Sequence, residues 1–373
     1  MTTTARSETA FASTLPGHYY YDPAIFALEQ ERIFSHMWVC VGRADAFTQP
    51  GSYQTITLGR ENVIVVRDKE HVLHAFLNVC RHRGARLCPE ASGTLKGSIQ
   101  CRYHAWTYAL NGKLLGAPNI LNEEAFKALD FSLVPVALQI WEGFVWLNLA
   151  EYPESLVQQV HEPILERFSG SYEPFARYDL GHLKSGKSIS YAVKANWKIL
   201  LENFQECYHC GPMHPEFCQF FPQYKSGVAY IDNEAAMLAS NMEAFSVTGK
   251  ASRPHLPRLL PEDLRRYYGI IINPNVLLNL FDDHVVIHTL TPLGPDSTRI
   301  TCDWLFDQQE TERPDFDPTD AVELFDLVNR QDWEVCELTQ MGMTSRAYRD
   351  GGVYVPVENH IRAFADFILA RLA

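Results

Sequence analysis

Two absences narrow the reading at once. No uncharged apolar stretch of about 18 residues occurs anywhere, and the start, Met-Thr-Thr-Thr-Ala-Arg-Ser-Glu, has neither the charged opening nor the apolar run of about 7–15 residues of a secretory signal. The chain therefore reads as an acidic, soluble, cytoplasmic protein. Basic residues are few: 32 Lys and Arg stand against 45 Asp and Glu, a formal charge of −13, which disfavours a nucleic-acid or anionic-membrane partner unless basic residues gather locally. There is no internal repeat or low-complexity tract. No Gly-x-Gly-x-x-Gly opens a helix and no P-loop occurs, so a nicotinamide or flavin nucleotide has no fingerprint here.

What is present is a two-part chain. With 373 residues it suits about two or three domains, and 46% hydrophobic with 21% charged residues is ordinary for a globular protein. From Trp38 to Leu149 short β-branched and aromatic runs alternate with turn residues: 53–58, 62–68, 71–78, 97–103, 106–110 and 143–149, with Asn111-Gly112 as a hairpin signal. Beyond Pro153 the texture changes. Helical periodicity over 155–167, 196–210 and 319–340 mixes with strand-like runs at 187–193, 276–280, 284–291 and 298–306. The expectation is an all-β module over 38–155, then an α+β domain over 156–373 on which residues 1–37 pack. The segment 245–262, with Pro254, Pro257 and Pro261, reads as a loop or lid.

The nine cysteines are an odd number, and five crowd into two short segments beside histidines, which points to metal or catalytic use over a disulfide framework. Cys80-Arg-His82 and Cys101-Arg-Tyr-His104 offer two thiolates and two imidazoles on two loops of the β-module. Tetrahedral zinc and an iron–sulfur cluster with two histidines on one iron both suit that set. Each pair, however, holds one Cys and one His, as required if both thiolates bind one iron and both imidazoles the other. The segments Asn78-Val-Cys-Arg-His-Arg-Gly-Ala-Arg-Leu-Cys88 and Cys101-Arg-Tyr-His-Ala-Trp106 resemble the Rieske [2Fe-2S] domain of the ring-hydroxylating, or Rieske non-heme iron, oxygenases. Cys88 lies outside the pattern and reads as a plain buried thiol. Arg81, Arg83, Arg86 and Arg102 surround the four ligands and form a candidate docking collar for an electron donor.

The second constellation runs from Trp197 to Pro215. Trp197, Leu200, Leu201, Phe204 and Tyr208 make an apolar face, while Glu202, Asn203, Glu206 and His209 make a polar stripe. His214 lies about 140° from His209 on a continuous helix, so both bind one ion only if the chain breaks between them, and Gly211-Pro212 supplies a break. Two histidines and one carboxylate on one face of an iron form the facial triad of non-heme Fe(II) oxygenases. On the helix from Asp320 to Gln340, Asp332 sits where the apolar stripe of Leu324, Val328, Val335, Cys336 and Thr339 calls for an apolar residue, so an acid there needs a partner or a metal. Gln331-Asp332-Trp333 matches the third-ligand region of the family. His209, His214 and Asp332 are therefore the candidate ligands of a mononuclear iron, with Glu206 and Asn203 as candidate catalytic residues. Cys207 and Cys210 read as structural.

The resemblance spans about Tyr19 to Phe367 and implies more. The fold would be a Rieske domain followed by a helix-grip-like α+β catalytic domain with an antiparallel sheet. Glu206 stands where most of the family carries an aspartate linking the Rieske histidine of one subunit to the iron-bound histidine of the next, which implies a homotrimer with His104 of one chain joined through Glu206 to His209 of another. NAD(P)H electrons would arrive through a separate flavin or ferredoxin-type reductase. The Glu206-Cys-Tyr-His-Cys210 run, Asn273-Pro-Asn-Val-Leu-Leu-Asn279, Arg346-Ala-Tyr-Arg349 and Val353-Tyr-Val-Pro-Val-Glu358 are most similar to the branch that N-dealkylates quaternary amines such as glycine betaine, carnitine and stachydrine. Dealkylation of a xenobiotic amide, hydroxylation of an arene, and plain electron carriage are the alternatives. No substrate-binding residue is assigned; Phe204, Phe217, Phe220, Phe221, Tyr230 and Phe281 are the aromatic residues available for an ammonium box.

Overall fold

The computed structural model describes residues 11–373 apart from 121, 122, 128, 228–234 and 359. The chain divides into two compact units, Gln30–Leu156 and a second formed by residues up to Glu29 with Val157–Ala373. Among the described residues no helix is long and apolar enough to cross a membrane.

The Gln30–Leu156 unit is built of short antiparallel strands. Leu73–Leu77, Glu61–Arg67, Ser52–Leu58 and Ser92–Thr94 form one sheet in that order; Ala137–Trp141, Phe144–Asn148 and Val39–Arg43 form a second; Ser98–Gln100, Thr107–Ala109 and Leu114–Gly116 a third. The turn at Asn111-Gly112 joins the last two strands of that third sheet, and Gly112 has φ +85° with the Phe76 ring 2.4 Å from where a Cβ would sit. Only glycine meets both conditions. Tyr53, Ile64, Val66, Phe76, Ile99, Trp106 and Tyr108 form the core, and Cys80, Cys88 and Cys101 belong to it.

The other unit centres on a six-stranded antiparallel sheet in the order Lys184–Val193, Ser297–Phe306, Val285–Gly294, Val276–Leu280, Arg266–Ile272 and Ala236–Met237. The edge strand Lys184–Val193 keeps exposed positions, whereas Val276–Leu280 is buried at every residue. The helix Thr319–Gly342 and the shorter Trp197–Gln205 helix carry the candidate site. Their registration has a direct cause. Asn196 caps the shorter helix, its side chain accepting from Lys198 N–H, while its own backbone N–H donates to Gln340 Oε1 at 2.8 Å. The segment 245–260 holds no helix or strand, as its prolines predict.

A buried ion pair supports the short helix from below. Lys198 Nζ bonds to Glu29 Oε1, both side chains fully enclosed, and Trp197 Nε1 donates to Glu29 Oε2 at 2.9 Å. Burial alone pushes the Lys198 pKa down, so the neighbouring carboxylate is what keeps the ammonium tenable. Glu29→Ala leaves that charge unpaired and is expected to destabilise the protein by about 3–5 kcal/mol. Thermal denaturation of the single variant and of Glu29→Leu combined with Lys198→Met checks this: the double variant should recover most of the loss.

Candidate metal centres and cavity

The two Cys/His pairs lie on two tight loops of the smaller unit. Cys80 N–H donates to Ala85 C=O at 2.8 Å and Gly84 N–H returns to Cys80 C=O at 3.1 Å; Cys101 N–H donates to Trp106 C=O at 2.8 Å and Ala105 N–H returns to Cys101 C=O at 3.0 Å. Matching loops thus present matching ligands. Both cysteines are buried, whereas His82 is exposed and His104 half-buried. The imidazoles stand together, ring centroids 4.6 Å apart, with His82 stacked on Trp106 at 4.9 Å. A single tetrahedral zinc would gather all four ligand atoms, yet no three of these residues offer atoms within 4.8 Å of one another. The spread fits a two-iron cluster with an inner thiolate-held iron and an outer imidazole-held one. Tyr108 Oη lies 3.4 Å from Cys80 Sγ, a weak hydrogen bond of the kind that tunes a cluster potential.

Arg81, Arg83, Arg86 and Arg102 are exposed around these loops. Three are engaged locally: Arg102 with Glu90 at 2.9 Å, Arg81 with the Ser132 carbonyl at 2.9 Å, and Arg83 over the Tyr103 ring at 5.5 Å.

In the larger unit, His209, His214 and Asp332 form the one set among the described residues whose ligand atoms all lie within 4.8 Å of one another. Asp332 Oδ1 is 3.2 Å from His209 Nε2 and 2.9 Å from His214 Nε2. The chain reaches this arrangement differently from the sequence expectation. The helix stops at Gln205 and Glu206 is extended, so the break falls before His209; Gly211-Pro212, expected to supply it, lies instead inside the short helix Cys210–Met213. The cause is Glu206 itself: its Oε2 accepts from the His209 backbone N–H at 3.1 Å, which ends the helix and turns the chain. Tyr208, expected on the apolar face, is consequently exposed.

Both imidazoles are held in one tautomer. Glu206 Oε1 accepts from His209 Nδ1 at 2.5 Å. Gln331 donates through Nε2 to Glu216 Oε2 at 3.4 Å, and a carboxylate only accepts; Gln331 Oε1 therefore faces His214 Nδ1, at 2.7 Å. Each ring keeps its Nε2 lone pair for the shared point. Two imidazole nitrogens and one carboxylate oxygen, with outer partners on both rings, fit a hard-to-borderline divalent ion with open positions. The charges agree. Burial opposes ionisation of His209, but Asp332 and Glu206 outweigh it and push its pKa up to about 11; burial likewise opposes the Asp332 carboxylate, but the two imidazoles hold it well below the carboxylate range. Both shifts mark a pocket that favours a cation beside Asp332.

A cavity opens onto this triad. Its aromatic lining is Phe204, Phe217, Tyr224, Tyr267, Phe325 and Trp333, and its polar lining includes Asn203, Glu206, Asn279, His288 and Asn329. Asn203 Nδ2 lies 3.5 Å from His209 Nε2, a marginal contact. Of the aromatic residues expected from sequence, Phe204 and Phe217 line the cavity; Phe220, Phe221 and Phe281 pack behind it around Phe245, and Tyr230 lies outside the described residues. Cys207 and Cys210 also line it. Gln331 and Asn279 stood out in sequence only as parts of family-like runs, and Glu216, His288 and Asn329 had no signal, because their roles arise from contacts across the sheet and between helices.

Known proteins fall into the same pattern. The model of the ring hydroxylating alpha subunit (catalytic domain) matches residues 180–373, and that of the Rieske [2Fe-2S] domain matches residues 37–130. The glycine betaine monooxygenase oxygenase subunit of Chromohalobacter salexigens is 31% identical over 95% of this chain and 84% of its own. The carnitine monooxygenase oxygenase subunit of Acinetobacter pittii is 30% identical over 91% and 88%. The quaternary ammonium Rieske monooxygenase CntA with L-carnitine superposes with TM-score 0.72 at 27% identity, covering 98% of this chain and 97% of that one. Naphthalene 1,2-dioxygenase from a Rhodococcus species, at TM-score 0.73 and 20% identity over 96% and 94%, shares the fold.

Proposed function

The chain belongs to the Rieske ring-hydroxylating oxygenase family, and from that premise we infer that it is the terminal oxygenase of a multicomponent system that N-demethylates a small ammonium compound. The observation that carries the substrate class is the cavity: six aromatic side chains line the space beside the triad and suit an ammonium group, which aromatic faces attract. The relatives named for glycine betaine and carnitine act on such compounds.

On this reading Cys80, His82, Cys101 and His104 hold the [2Fe-2S] cluster, and His209, His214 and Asp332 hold the mononuclear iron. When bound, the two groups supply electron delivery and O2 activation. The rest belongs to the protein. Glu206 and Gln331 keep the Nδ1 protons on the two ring ligands. The aromatic lining holds an N-methyl group beside the triad and limits the water that would divert the reaction. In balance, the methylated ammonium, O2, two electrons and two protons give a hydroxymethyl ammonium and water; the carbinolamine then releases formaldehyde, a proton and the dealkylated amine.

A reductase must supply the electrons, since the chain has no nucleotide fingerprint, and the exposed arginines beside the cluster are its proposed dock. A homotrimer in which His104 of one chain meets Glu206 of the next completes the proposal; it is supported by the CntA structure described as revealing inter-subunit electron transfer. Iron-loaded protein with a surrogate reductase, NADH and trimethylammonium substrates is expected to release about one formaldehyde per O2 consumed. O2 uptake without aldehyde from any ammonium compound would replace this substrate class with amides or arenes.

A further inference from the structure

None of the nine cysteines is in a disulfide, and eight of them are buried; Cys207 alone is half-buried. It lines the cavity beside the triad, and so does Cys210. The chain between them is a single turn. Cys210 N–H donates to Cys207 C=O at 3.0 Å, and such a turn brings the Cα atoms of its ends to less than about 7 Å, the limit within which two cysteines can be bridged. The side chains converge as well: the Cys210 thiol hydrogen-bonds to Cys207, which is the largest cause pushing its pKa up. Two thiols therefore adjoin in the cavity wall, on either side of the ligand His209 in the chain. Packing accounts for the enclosed Cys210, whose carbonyl also meets Cys218 Sγ at 3.4 Å. It does not account for a second, half-open thiol lining the same space.

The chemistry of the cavity supplies a reason. When two electrons reach O2 and no carbon is hydroxylated, O2, two electrons and two protons make hydrogen peroxide, and a thiol open to the cavity is the group that such an oxidant converts most readily. The Cys207 sulfur attacks one peroxide oxygen, the O–O bond breaks, and a sulfenic acid and one water result. The Cys210 sulfur then attacks the Cys207 sulfur; the S–S bond forms, the S–O bond breaks, and the Cys210 proton leaves with the hydroxide as a second water. In balance two thiols and one peroxide give one disulfide and two waters, the thiols losing the two electrons that the peroxide gains. The other thiols stay out of this exchange: burial encloses Cys88, Cys218, Cys302 and Cys336 and pushes the pKa of each up.

We propose that Cys207 and Cys210 are a peroxide-consuming dithiol, which closes to a disulfide when O2 is reduced without hydroxylation, spares the neighbouring imidazoles, and is reopened by a small dithiol that takes up the oxidation. The inference rests on the oxygenase reading above for the source of the peroxide. Its test is mass spectrometry of the iron-loaded protein. About one equivalent of hydrogen peroxide, followed by acid quench, is expected to lower the mass of the chain by about 2 Da, with peptide mapping placing the bond between Cys207 and Cys210 and dithiothreitol reversing it. Oxidation of this pair should exceed that of Cys40, Cys88, Cys218, Cys302 or Cys336 by about ten-fold or more. In Cys210→Ser the reaction stops at Cys207, which then takes up dimedone; in Cys207→Ser, Cys210 takes up none. Substrate-free turnover with a surrogate reductase and NADH should form the same bond even with catalase in the medium, because the peroxide arises inside the cavity. A bond from Cys210 to Cys218, oxidation spread evenly over the cysteines, or a pair left reduced by peroxide overturns the inference and leaves the oxygenase reading standing. Closure by added peroxide, with none while O2 is consumed in turnover, also overturns it. Failure to consume O2 with any ammonium compound, amide or arene overturns the oxygenase reading and this inference with it, even where added peroxide closes the pair.

Discussion

Asp332→Ala is expected to abolish turnover while the protein keeps its fold and its cluster. The carboxylate is the only anionic donor among three atoms that lie within 4.8 Å of one another, and both imidazoles approach its Oδ1, at 3.2 and 2.9 Å. Without it, two neutral nitrogens are left to hold a divalent ion, with Glu206 turned to the far side of the His209 ring. Iron content should fall from about three to about two per chain, the two being those of a [2Fe-2S] cluster. Substrate-dependent O2 consumption should drop by ~10³-fold or more, the order of several kcal/mol that a bound metal contributes to a barrier. Visible absorption of the cluster shows that the smaller unit is intact, and an unchanged thermal melt is the control for folding of the unit that carries Asp332. Unchanged iron content in Asp332→Ala would remove Asp332 from the ligand set. Acid should act in the same direction in the wild type. Metal holds on to deprotonated ligands, so iron is lost as pH falls.

How far the sequence reaches depends on how local each feature is. The Cys80–His104 pattern and the His209/His214 spacing are legible because ligand chemistry and chain spacing coincide within a few residues. Asp332 is legible because an acid interrupts a long apolar stripe, and the helix Thr319–Gly342 lets that stripe be counted. Most of the strands between Ser52 and Phe306 appear in the sequence as β-branched or aromatic runs, displaced by up to three residues at their ends. The strands Val39–Arg43, Ala137–Trp141 and Arg266–Ile272 were not legible, since their runs lack clear alternation or clear turn boundaries. The early end of the Trp197 helix was also hidden: periodicity continues through His209, and only the Glu206 carboxylate, bonded to the His209 backbone N–H, stops it. The cavity wall is least legible of all. Asn279, His288 and Asn329 come from two strands and a helix, and nothing in their own segments announces that they meet.

Glu206→Gln separates positioning from ligation. Glu206 makes two bonds to the same residue, Oε1 to the ring Nδ1–H and Oε2 to the backbone N–H of His209. Glutamine has one accepting oxygen, so it satisfies one of the two and presents an amide N–H to the other. The helix end costs about 1 kcal/mol of stability, within the range of a single hydrogen bond, so the variant should fold and bind both metals. What it loses is a charge-assisted hold on a ligand ring, and outer partners of metal ligands typically matter by about 10–100-fold. Turnover is expected to fall by that factor. Reduction of the cluster by the reductase should be unchanged, and reoxidation of the pre-reduced cluster in a single turnover should slow. Glu206→Asp keeps the charge with a shorter reach and should recover part of the rate. A Glu206→Gln protein with full iron and unchanged single-turnover kinetics would reduce Glu206 to a helix terminator, and the path from His104 of one chain to His209 of the next would have to run through another residue.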